Sequence, residues 1–60
     1  MSPPGINVTP ITERQMTEIV QRSVNKTLPG SALLLAGSQF EVTTPFTGQL
    51  FRVTVEEMPT

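Results

Sequence analysis

The chain has 60 residues, a formal net charge of −1 and neither cysteine nor histidine. So short a chain makes one domain with a small core, and without those two residue types its staples are oligomerisation or docking on a partner, not disulfides or a zinc site. Four basic residues against five acidic ones provide no strong field toward phosphate backbones, anionic membranes or polycations.

Residues 1–10 include Pro3, Pro4, Gly5 and Pro10, a composition that opposes helix and favours an extended arm, either frayed or ordered on a partner. Within it Ile6 and Val8 alternate with polar neighbours, the pattern of a short added strand. The stretch lacks the basic and apolar regions of a secretory signal, and no apolar run nears the roughly 20 residues that span a bilayer. The expectation is a soluble chain without membrane attachment, intracellular or part of a virus particle. Two glycosylation sequons, Asn7-Val8-Thr9 and Asn25-Lys26-Thr27, are read as chance in that context.

From Thr12 the pattern becomes helical, with Met16, Ile19, Val20, Val24 and Leu28 on one stripe and Arg14, Glu18, Gln21, Arg22 and Asn25 opposite. Thr12 and Gln15 fit a capping box, Ile11 can pack on Met16 as a hydrophobic staple, and Pro29-Gly30 ends the segment. Thr9-Pro10 offers a rival start.

Strands are expected over residues 32–36, 39–44 and 49–57, separated by turn residues. A two-residue turn at Gly37-Ser38 sets Leu35 opposite Phe40 and Leu33 opposite Val42. Closing the second hairpin through Pro45-Phe46-Thr47-Gly48 sets Val42 opposite Phe51, Phe40 opposite Val53 and Glu41 opposite Arg52. The predicted architecture is α+β: one amphipathic helix packed on a three-stranded antiparallel meander, order αβββ, in two layers. An extended arm (residues 1–10) precedes a single small domain (residues 11–60). Its apolar sheet face would carry Leu33, Leu35, Phe40, Val42, Phe51, Val53 and Val55.

Chemistry is hard to assemble from these residues. Without His or Cys a nucleophile has no customary base. The carboxylates Glu13, Glu18, Glu41, Glu56 and Glu57 form no pair aimed at one substrate and read as solvated surface charge. An enzyme built at a subunit boundary with Glu13, Glu41 or Glu56 as acid or base ranks third among the functional readings. Gly5, Gly30, Gly37 and Gly48 are too scattered for a phosphate-cradling loop, and the absence of Asp removes a calcium loop. No catalytic residue, cofactor or metal is expected.

Contact with another protein is the first reading. In the meander the first strand is an edge without charge or proline, carrying Leu33, Leu34 and Leu35 with Leu34 outward, and such an edge invites another strand. The rival is that the arm covers it through Ile6 and Val8. Phe46, in the second loop, either folds onto the core or is shown to a partner. The expected interface is therefore Leu33, Leu34, Leu35, Ile6, Val8 and Phe46. The expected role is a non-enzymatic structural or accessory subunit, an assembly component or inhibitor-type binder, in a homo-oligomer or a larger complex. The alternative is a small nucleic-acid-binding regulator using Arg14, Arg22 and Lys26 on one side of the helix, a reading weakened by Glu18 among them and by the lack of Trp and Tyr.

Overall fold

Thr12 opens the helix through the expected reciprocal cap. Its hydroxyl accepts the Gln15 N–H at 3.0 Å, and the Gln15 side-chain oxygen accepts the Thr12 N–H at 2.8 Å. In the computed structural model, which describes residues 9–59, helix α1 then runs Glu13–Thr27. It closes with the Leu28 N–H on the Val24 carbonyl at 2.7 Å. Beyond it come β1 (Ala32–Leu34), β2 (Gln39–Thr43) and β3 (Leu50–Thr54), an antiparallel sheet in the order β1-β2-β3. The expected α+β fold, one helix on a three-stranded meander, is the observed one, with each strand shorter than expected.

The second hairpin has the expected register: Val42 faces Phe51, Phe40 faces Val53 and Glu41 faces Arg52. The first is displaced by one residue. Ala32 stands opposite Val42, Leu33 opposite Glu41 and Leu34 opposite Phe40, in place of Leu33 with Val42 and Leu35 with Phe40. The turn accounts for the shift. Leu35 N–H bonds the Gln39 carbonyl at 3.0 Å, enclosing the three-residue loop Ala36-Gly37-Ser38 with Gly37 at φ +70°, where a two-residue turn was expected. Because side chains alternate, a slip of one residue exchanges the faces of the whole strand. Ala32 and Leu34 therefore turn toward the helix, and Leu33 turns away, 66% exposed.

The core is small: Ala32, Phe40 and Val42 are buried, with Val20, Val24, Leu28, Leu34, Val53 and Val55 packed around them. Thr17 is also fully buried, its hydroxyl donating to the Glu13 carbonyl one turn back at 2.6 Å. That bond satisfies the oxygen inside the helix and leaves the methyl free to pack. The buried stripe thus runs through Thr17, Val20, Val24 and Leu28. Ile19, expected on it, is 42% exposed, and Met16 lies at its margin, half-buried.

The helix lies over β1 and β2, leaving β3 at the thinly covered side of the sheet. Among the described residues no helix is long and apolar enough to cross a membrane.

Candidate functional site

A three-stranded sheet has two edges, and they differ here. On β1 the bonds Thr43 N–H to Ser31 carbonyl, 2.9 Å, and Leu35 N–H to Gln39 carbonyl set the phase of the ladder. The backbone groups of Ala32 and Leu34 consequently point outward. Those of Ala32 are already taken. Its N–H donates to the Asn25 side-chain oxygen at 2.8 Å, and its carbonyl accepts from Asn25 Nδ2 at 3.0 Å and Gln21 Nε2 at 2.8 Å. Arg14 closes the far end, donating to the Leu35 and Gly37 carbonyls at 2.7 and 2.8 Å. The edge expected to stand open through Leu33, Leu34 and Leu35 is therefore closed by helix side chains at Ala32 and at the loop end, which leaves the outward groups of Leu34 alone without a bond among the described residues. Leu34, expected outward, is half-buried against the core.

The β3 edge is the open one. Val55 N–H to Ser38 carbonyl at 2.8 Å and Thr44 N–H to Gln49 carbonyl at 2.9 Å set its phase, so the N–H and C=O groups of Leu50, Arg52 and Thr54 point away from β2. Among the described residues no hydrogen bond reaches them. Side chains along the strand are exposed as well, Leu50 at 65% on the outer face and Phe51 at 50% on the helix-side face. This surface was missed at the level of sequence, because Phe51 counted as core in a sheet assumed to be evenly roofed.

Beside the end of β3 lies an open cleft of about 430 Å³, lined by Pro10, Ile11, Met16 and Val55, with Glu13, Glu56 and Glu57 at its rim. Glu13 bridges it, accepting the Glu57 N–H at 2.8 Å. At the opposite end of the sheet, Phe46 is fully exposed with φ +70°. It forms the centre of a tight turn in which Thr47 N–H bonds the Pro45 carbonyl at 2.8 Å. A positive-φ turn of this kind strains a bulky L-residue. Phe46 thus does not fold onto the core. Ile6 and Val8 lie outside the described residues.

The three basic residues of the helix have different surroundings. Arg14 makes the loop bonds above and pairs with Glu18 at 3.4 Å, whereas Arg22 and Lys26 flank a shallow depression with Ile19 and Ser23. Asn25, the acceptor position of a sequon, has its amide nitrogen bound to Ala32, so a glycan there would break the clasp on the Ala32 peptide. Among the described residues no cluster of acidic side chains is arranged to hold a metal. No protein-family model matches the chain, and neither curated proteins nor solved structures give a significant match, so any role is argued from these surfaces.

Proposed function

We propose that the chain is a non-enzymatic small subunit acting by protein contact, an assembly component or inhibitor-type binder that presents β3 to another strand. One observation supports this above the rest. The outward backbone groups of Leu50, Arg52 and Thr54 are unpartnered among the described residues, on a strand whose Leu50 and Phe51 are both exposed. Strand addition uses both features, main-chain bonds for affinity and alternating side chains for specificity. Phe46 extends the apolar surface at the neighbouring hairpin tip. The carboxylates weigh against chemistry of the chain's own. Glu13 holds the Glu57 amide, Glu18 pairs with Arg14, and Glu41 stands across from Arg52 in mid-sheet.

The test is a photo-crosslinking residue at position 50, compared with one at position 22 on the exposed helix face, in the cells from which the chain comes. Protein adducts from position 50 and none from position 22 are expected. Nucleic-acid adducts from position 22 with no protein adduct from position 50 would transfer the role to Arg22 and Lys26.

A further inference from the structure

We infer that the strand received by β3 is the β3 of a second copy, paired antiparallel about a two-fold axis at Thr54. This rests on the reading of β3 as a contact edge and names its partner. The outward phase of Leu50, Arg52 and Thr54 allows a symmetric pair only where an outward residue meets itself or where the axis falls between two of them. Centring on Arg52 sets it opposite the partner's Arg52, and like charges directly opposite repel. Moving the axis to Thr54 sets Arg52 opposite the partner's Glu56, in the segment that follows β3 and prolongs its edge beyond the Val55 N–H bond to the Ser38 carbonyl, an attraction made twice by symmetry. Among the described residues neither Arg52 nor Glu56 makes an ion pair within its own chain, and Glu41, which stands opposite Arg52 across the ladder, leaves the guanidinium free to reach a second carboxylate.

The same register fits the helix-side face. There Val53 meets the partner's Val55, and Phe51 stands opposite the partner's Glu57, diagonal to the partner's Val55. Val55 and Glu57 line the cleft whose other walls include Ile11 and Met16, so each half-exposed Phe51 enters the mouth of the other copy's cleft. An axis midway between Arg52 and Thr54 would set Arg52 opposite Thr54 and Leu50 opposite Glu56 with no charge pair, so charge selects the Thr54 alignment. A chain of 6.5 kDa with three buried apolar side chains among its described residues gains in this way the added core that small domains obtain by association.

Solution mass by light scattering, at concentrations up to about 0.5 mM to include weak dimers, is measured for the native chain, Arg52→Glu, Glu56→Arg and the double exchange. Both sites are exposed, and circular dichroism checks that each variant remains folded. A native mass of twice 6.5 kDa is expected. Each single reversal weakens the dimer on the order of tenfold or more, since it places like charges opposite at two symmetric points, and the double exchange restores it relative to Arg52→Glu, with which it shares the like charge opposite Glu41. A native dimer indifferent to the single reversals, or one not restored by the double exchange, overturns this register. A native monomer throughout overturns self-pairing. In that case a protein adduct of some other mass from position 50 preserves the contact reading, and the lack of any such adduct removes both.

Discussion

Phe46 combines two unfavourable conditions at one residue. Its ring is fully exposed, and its backbone sits at φ +70° in a turn bounded by Pro45 and Gly48. Neither condition serves the fold, because no burial is gained and a Cβ is held where glycine is at ease. Phe46→Gly is expected to stabilise the chain by about 0.5–1 kcal/mol, the relief of strain outweighing the added freedom of the unfolded state. Thermal melting of the two proteins checks this, and a lower melting temperature for the glycine variant would show that the ring makes a contact worth more than the strain. A large residue at such a position fits a side chain held out for a partner, the second of the two readings the sequence left open.

At the scale of elements, the clasp between α1 and β1 decides how the sheet is presented. Asn25 uses both ends of its amide on the Ala32 peptide, with Gln21 as a second donor. Asn25→Ala leaves the Ala32 N–H without its partner and is expected to cost about 1–3 kcal/mol, with faster amide exchange at Ala32 as its local signature. If Ala32 exchanges at the native rate in that variant, the clasp does not protect the edge. The clasp also explains what could be read in advance and what could not. Helix start and second-hairpin register were legible because each rests on local chemistry, the Thr12–Gln15 cap and a four-residue loop with strict alternation on both flanks. The first hairpin was not. Leu33, Leu34 and Leu35 present leucine to the core in either register, so alternation cannot choose. The choice falls to long-range fit, in which small Ala32 lies beneath the helix within reach of Asn25 and Gln21. Thr17 escaped for a related reason, since its hydroxyl is satisfied within the helix and its polarity misled. The proposed contact surface lies on β3, not on the expected β1, because the side chains that bond one edge, and the helix that leaves the other thinly covered, belong to tertiary placement and leave no local pattern.

For the whole molecule, the proposed association would be linked to stability. With Ala32, Phe40 and Val42 as the buried apolar core among the described residues, Leu50 and Phe51 of β3 remain as apolar surface that a larger domain would enclose. Pairing that encloses Phe51 must then add to folding free energy by mass action, since only the folded chain offers the edge. The melting temperature is accordingly expected to rise with protein concentration, by about 4–8 °C for each tenfold increase, the shift that the unfolding enthalpy of a dimer of two such chains implies. Arg52→Glu should melt lower than the native chain at high concentration and show little concentration dependence until its weakened dimer begins to form. The same series in high salt separates the two contributions. Screening attenuates an exposed Arg52–Glu56 attraction while leaving Phe51 burial intact, so salt is expected to lower the concentration-dependent component modestly without abolishing it. Melting that is independent of concentration for the native chain would mean that folding is complete within one copy, and that the β3 edge contributes nothing to stability until a different protein meets it.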